Sequence, residues 1–222
     1  MTTRVLKACG LYFNGRNAYV KTPLPTSKIA NVSFGAFFKT LDYRRPRQGI
    51  IHVGNVGADM EGIDGYTVTI NNEGKSDGML RVLYDHVAWY DTGIYVTDTD
   101  WHHVWVNIMS DSHPEVYFDG KKVWSGAAYT PKTPTYNAYI GVNMYYFYGF
   151  IYLPIVVERT LSDSEVNDLA KYEIIPKDSV VLCLPMTDYE GNTVKDYSGR
   201  GNDGTLYGCE WVIKKAKRLL SI

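Results

Sequence analysis

The chain is short of the features that most often announce chemistry. Cysteine is scarce: Cys9, Cys183 and Cys209 are the only three in 222 residues. Three cysteines do not make a disulfide framework, and at most one pair can form. Their spacing matches no zinc site. An excess of one charge is also lacking, since 23 Lys and Arg stand against 24 Asp and Glu for a net charge of -1. That balance excludes a global pull toward nucleic acid or an anionic membrane. The nearest thing to a basic patch, Lys214, Lys215, Lys217 and Arg218, reads as a solvated terminus. No run approaches the ~20 apolar residues of a membrane-crossing helix, so membrane insertion is not expected. Met1 to Gly10 carries Arg4 and Lys7 but no apolar stretch. The expectation is therefore synthesis in the cytoplasm without a signal peptide.

Catalytic patterns are missing too. Retaining glycoside cleavage needs two carboxyls ~5 Å apart, which a strand supplies as acids at alternate positions. Glu61 and Asp64 are separated by an odd step, so a strand would turn them to opposite faces. Asp98-Thr99-Asp100 is turn-like and precedes Trp101. Neither pair reads as catalytic. There is no Gly-x-Ser-x-Gly elbow, and Gly199 to Gly204 lacks the Lys of a phosphate loop. Cys183 lies in an apolar strand and reads as core. His102 and His103 are adjacent, so a strand points them to opposite faces.

What the chain does have is tyrosine, 19 against 7 phenylalanines. Tyrosine suits half-buried sheet surfaces, where the ring packs and the hydroxyl stays hydrogen-bonded. Strand-like runs fill most of the sequence: Leu11–Phe13, Ala18–Lys21, Val32–Thr40, Gly49–Val53, Tyr66–Asn71, Met79–Tyr84, Gly93–Val96, His103–Met109, Glu115–Phe118, Ala138–Val142, Phe150–Val157 and Val180–Met186. Asn14-Gly15, Glu73-Gly74, Asp77-Gly78 and Asp119-Gly120 supply turns. Val116 to Trp124 predicts a hairpin with Asp119-Gly120 at its tip. One helix is predicted over Leu161 to Ala170, with Ser162 and Glu165 forming a capping box. Strands without βα alternation predict an all-β antiparallel sandwich with one short helix. Ile174 to Asp178 is the linker candidate. The residues beyond it are too few for a core of their own, so one domain over 1–222 is expected, with 178–213 completing its sheets.

Three stretches carry a resemblance. They are Leu11-Tyr12-Phe13-Asn14-Gly15 through Tyr19-Val20, then Trp101-His102-His103-Val104 with Val116-Tyr117-Phe118-Asp119-Gly120-Lys121, then Tyr148-Gly149-Phe150-Ile151-Tyr152 through Leu161-Ser162-Asp163-Ser164-Glu165-Val166. In this order they resemble the laminin-G-like domains of the concanavalin A-like lectin and glucanase superfamily. The resemblance implies a concanavalin A-like jelly roll. Tyr152 stands where the family commonly has Asp, so no role of that Asp transfers. A fourth stretch, Val180 to Met186 and Thr193 to Val212, is similar to the family's N-terminal segment but follows the helix. Two readings explain the order: a circular permutation, or strand exchange into a neighbouring subunit, which would make a homo-oligomer. The permuted reading places Cys209 near Cys9 and suggests a disulfide between them.

Candidate ligand-binding residues are Trp89 and Tyr90, and Tyr145, Tyr146 and Tyr148 in the densest aromatic run; Tyr129, Tyr136 and Tyr139 are secondary candidates. In an extended run Tyr145 would share a face with Phe147, and Tyr146 with Tyr148. Core or interface packing is the competing explanation for each. Calcium is the plausible metal, with Asp196, Asn202 and Asp203 as ligands in a turn-rich loop. The competing explanation is that these side chains bond their own backbone to shape the loop. The leading functional expectation is a non-catalytic lectin-like module whose partner is a carbohydrate or a protein surface. A second is a structural or assembly protein of a virion or other particle; a glycoside hydrolase is a distant third.

Overall fold

In the computed structural model, which describes residues 10–24, 31–58, 60, 64–84, 88–109, 113–127 and 137–212, the turn signals become strand boundaries. The first strands are β1 (Leu11–Asn14), β2 (Tyr19–Pro23), β3 (Val32–Thr40), β4 (Gln48–Val53), β5 (Tyr66–Ile70), β6 (Met79–Tyr84), β7 (Ala88–Tyr95), β8 (His102–Ile108) and β9 (Glu115–Phe118). β10 (Lys121–Ser125), β11 (Asn137–Ile140), β12 (Val142–Asn143), β13 (Tyr145–Tyr146) and β14 (Tyr148–Val157) lead to helix α1 (Asp163–Tyr172). β15 (Val180–Cys183), β16 (Thr193–Val194), β17 (Gly204–Tyr207) and β18 (Glu210–Trp211) follow.

These strands form two sheets. One has eight strands in the order β10-β9-β8-β3-β14-β1-β18, with β15 also on β14. The other has ten, β16-β17-β2-β11-β4-β5-β6-β7, with β12 and β13 beside β4. Pairing is antiparallel apart from the single β13–β4 bridge at Tyr145 and Gln48. Alternate residues of both sheets meet between them: Phe13, Phe34, Phe38, Val104 and Ile151 from one, Val20, Ile51, Val68, Val82 and Ile140 from the other, all fully buried. Burial of this aligned apolar face drives the sandwich.

Local chemistry sets the details. At the β9–β10 tip Asp119 has φ 49° and Gly120 φ 80°, the doubly positive turn that matches strand twist. Ser162 caps α1: its side chain accepts from Glu165 N, and Glu165 returns a bond to Ser162 N at 2.9 Å. α1 lies on the outer face of the eight-stranded sheet. There Val166 and Leu169 join Phe37, Trp105, Leu153 and Ile155 in a second apolar cluster. Asn107 anchors the approach to the helix, receiving Leu161 N at 3.1 Å and giving Nδ2 to Leu161 O at 2.8 Å. Gly35 makes room for Trp105, because a Cβ there would fall 2.7 Å from the indole.

Residues beyond the linker pair within the same chain. β15 lies on β14, with Ile155 opposite Cys183. β17 lies on β2, with Tyr207 opposite Tyr19, and β18 lies on β1, with Trp211 opposite Leu11. β15 stops at Cys183, short of the expected Met186, as Pro185 has no N–H for a ladder. β7 begins at Ala88, well ahead of the expected Gly93, since its partner β6 continues the pairing to Tyr84.

Candidate functional site

Strand alternation turns Tyr19 of β2, Tyr139 of β11 and Tyr207 of β17 away from the core, as their neighbours Val20, Ala138 and Ile140 fill it. The cross-strand register then brings the rings together. Tyr19 and Tyr207 stack with centroids 4.5 Å apart and planes 7° from parallel. Tyr139 and Tyr146 each stand 6.4 Å from Tyr19. Lys21 Nζ lies 5.7 Å from the Tyr139 ring. Tyr207 remains 42% exposed. Burial, then the neighbouring phenols, raise the pKa of Tyr19, so its hydroxyl stays protonated.

Beside these rings a cleft of about 300 Å³ is lined by Gly15, Arg16, Arg45, Pro46, Met144, Tyr145 and Tyr146. Tyr145 is 37% exposed at its rim. The Arg45 guanidinium lies 4.9 Å from the Tyr148 ring centre and gives Nη2 to Gly15 O at 2.6 Å. Gly15, at φ 69°, permits this approach: a Cβ would sit 2.9 Å from Arg45 Cζ. A larger cleft of about 500 Å³ runs between α1 and the segment Ile174 to Asp178. Its arginine is already neutralised, for Arg159 Nη2 stands 2.6 Å from both Glu165 and Asp178. The smaller, tyrosine-walled cleft therefore offers the more available chemistry.

The aromatic run is not one extended segment. Met144 has φ 64° and reverses the chain between β12 and β13. Phe147 falls between β13 and β14 and is fully buried, edge-on to Phe13 and Phe38. Tyr145 thus does not share its environment, contrary to the alternation expected from sequence. Tyr146 faces Tyr19, whereas Tyr148 sits by Tyr12 at 6.3 Å on the eight-stranded sheet. The cleft consequently bridges an edge of both sheets.

Trp89 and Tyr90 lie elsewhere, on edge strand β7. Trp89 stacks under the buried Arg47 guanidinium at 4.8 Å, and Arg47 also donates to Met144 Sδ. Tyr90 packs on the core, 5.8 Å from Trp124. Tyr129 and Tyr136 are outside the described residues, as are Glu61 and the basic tail. So is Cys9, and with it the suggested pairing; the Cys209 thiol contacts Tyr207 O at 3.5 Å. Burial pushes the Cys183 and Cys209 thiols up to about 12. Neither is a thiolate nucleophile at neutral pH.

The Asp196 loop is knitted to itself. Asp196 Oδ1 receives Cys183 N at 3.0 Å and Ser198 N at 2.9 Å; Oδ2 receives Ser198 Oγ at 2.7 Å and Asn202 N at 2.9 Å. Asp203 accepts Asp196 N at 2.9 Å and Lys195 Nζ at 2.6 Å. Asn202 Nδ2 reaches Val181 O at 2.8 Å. A carboxylate has about four acceptor positions, and those of Asp196 are filled by protein donors. Asp196 therefore has no acceptor position left for a calcium ion. Among the described residues no group of three or more His, Cys, Asp or Glu is placed to hold a metal.

His102 and His103 do point to opposite faces. His102 is clamped: Nδ1 is 2.9 Å from Asp119 Oδ2 and Nε2 is 2.9 Å from Asp98 Oδ1. Burial opposes its charge, but the two carboxylates outweigh burial and raise its pKa. Asp98 is held below its usual range by a hydrogen bond from Asp100 N and then by His102. Burial raises Asp119, yet bonds from His102 and His103 N bring it below the usual range.

An antiparallel jelly roll of two sheets, sealed by one helix and open at an aromatic edge, is a lectin-like sandwich. The chain belongs to the concanavalin A-like lectin/glucanases superfamily, whose laminin-G model matches residues 14–167. Among solved structures it is similar to a candidate carbohydrate-binding protein from Bacteroides ovatus, with TM-score 0.71, 16% identity, and 92% of this chain on 60% of that one. It is similar to the heptameric SAP-like pentraxin of Limulus polyphemus, with TM-score 0.63, 15% identity and coverage of 93% and 95%. A sialidase from Trypanosoma rangeli matches with TM-score 0.52, 18% identity and coverage of 76% and 28%. The chain thus spans 60% of the length of the Bacteroides protein. At such identities the likeness is one of fold. No curated protein matches the chain by sequence.

Of the residues that define the site, Tyr145, Tyr146 and Tyr148 are legible as an aromatic run. Tyr19, Tyr207, Arg16 and Arg45 are not: each lies in a different segment, and only the outward alternation of β2 and the second partner of β2 would have pointed to the tyrosines.

Proposed function

We propose that this chain is a non-catalytic, lectin-like module that binds a glycan along the edge formed by Tyr207, Tyr19, Tyr146 and Tyr145. The observation that carries this reading is the outward Tyr19–Tyr207 stack leading to the cleft at Tyr145. Flat, half-exposed rings accept the C–H faces of a sugar, and their phenol oxygens can hydrogen-bond its hydroxyls. Asp98 and Asp119 are held by His102, and Asp196, in the β16–β17 connection, is taken up by donors of its own loop and by Cys183 N, so the reading includes no hydrolytic step. A glycan array followed by titration calorimetry tests it. Binding of at least one sugar class is expected, with Tyr19→Ala and Tyr145→Ala each lowering affinity by roughly tenfold, the size of an interface anchor. Binding unaffected by both substitutions, or none to any sugar, would overturn it.

A further inference from the structure

Resting on that glycan-binding reading, we propose that the sugar recognised at this edge is an acidic one, carrying a carboxylate or a sulfate. The seven residues that line the cleft include two arginines and no acid. Neither Arg16 nor Arg45 makes an ion pair with any described residue. Asp42, the acid of the neighbouring turn, accepts Arg44 N at 3.1 Å and pairs with neither arginine. Two other arginines are neutralised by acids. Arg81 lies 3.0 Å from Asp77 and 2.7 Å from Asp91, and Arg159 is held between Glu165 and Asp178. Arg16 and Arg45 thus bring two positive charges to one aromatic cleft that holds no carboxylate.

Arg45 is also held ready. One nitrogen is tied to Gly15 O at 2.6 Å and its plane lies over Tyr148, which leaves the other N–H groups of the fork to reach a ligand. A planar guanidinium matches a carboxylate or sulfate with two parallel hydrogen bonds, and fixing it beforehand reduces the ordering cost on binding. Tyr145 and Tyr146 complete the wall against the ring of the same sugar.

Titration calorimetry against sialyllactose and tetragalacturonate (carboxylates), a heparin tetrasaccharide (sulfates), and lactose and maltotetraose (neutral) tests the assignment. At least one acidic sugar should bind roughly tenfold or more tighter than the neutral ones, the worth of a charge-assisted bond pair. The carboxylate and sulfate arms identify which anion is preferred. Arg45→Gln and Arg16→Gln, checked for unchanged melting temperature, should remove that preference, lowering acidic-sugar affinity roughly tenfold more than neutral-sugar affinity. Arg45→Lys should recover only part of it, as the fork is lost. Equal binding of acidic and neutral sugars, or arginine variants that retain the preference, would overturn the inference while leaving the glycan reading intact. Failure of every sugar to bind would overturn both.

Discussion

The outer face of the eight-stranded sheet under α1 and the outer face of the ten-stranded sheet around β2 arise from the same strand alternation. On the first, Phe37, Trp105, Leu153 and Ile155 point outward and a helix closes over them. On the second, Tyr19, Tyr139 and Tyr207 point outward around Lys21, and Tyr207 is left 42% exposed. The indole of Trp105 has one polar atom, satisfied by Asn107 Oδ1 at 3.1 Å. A phenol keeps its hydroxyl at the ring's far end, where water or a ligand can reach it. Tyr117 is buried with the first group, its hydroxyl donating to Glu115 and Asp163, so it is the helix cover that separates a face that holds the fold together from a face that stays available.

The comparison predicts a large asymmetry in stability. Trp105→Ala empties a fully buried site and should cost about 3–5 kcal/mol in urea unfolding followed by circular dichroism. A loss below about 1 kcal/mol would mean that the helix-covered face is not a second core. Intermediate in size is the His102 clamp at the start of β8. The raised pKa of His102 means its contribution is complete below about pH 6.5 and fades as pH rises through the folded value. The lowered pKa values of Asp98 and Asp119 mean theirs is present above roughly pH 4 and fades as pH falls. Wild type should exceed His102→Gln by at most about 1 kcal/mol, and most between those limits, in melting curves from pH 3 to 9. A difference that is flat with pH would show that the imidazole serves packing alone. Smallest is Tyr207→Ala, which should cost about 1 kcal/mol or less in the same unfolding assay. A larger loss would make the tyrosine edge a structural face after all.

Local features were legible in the sequence because their causes are local. Asp119-Gly120 reads as a hairpin tip since both residues tolerate positive φ, and Ser162 with Glu165 reads as a helix start since the two bonds lie within one turn. The site was legible only in part. Tyr145, Tyr146 and Tyr148 advertise themselves as a run, yet Met144 breaks that run and sends Phe147 into the core. The Tyr19–Tyr207 stack depends on which strand lies beside β2, and no neighbour in sequence reports that. Asp196 reads in sequence both as a metal ligand and as a loop-shaping acceptor, because the acceptors that shape a loop and those that hold an ion are the same residue types.

The pairing of β18 with β1 carries a consequence for assembly of the molecule. Leu11 meets Trp211 across nearly the whole described chain, and Val20 meets Leu206 almost as remotely. Contacts this distant repay the entropy of closing the chain only late, and they slow folding. During synthesis β1 and β2 must wait for partners that are made long after them. Until then β1 can rely on β14 alone, and the flank of β2 that will receive β17 stands open. An interrupted or truncated chain ending before residue 204 would leave that flank as an unpaired edge beside the tyrosine face, which is where misassembly of this sandwich should begin.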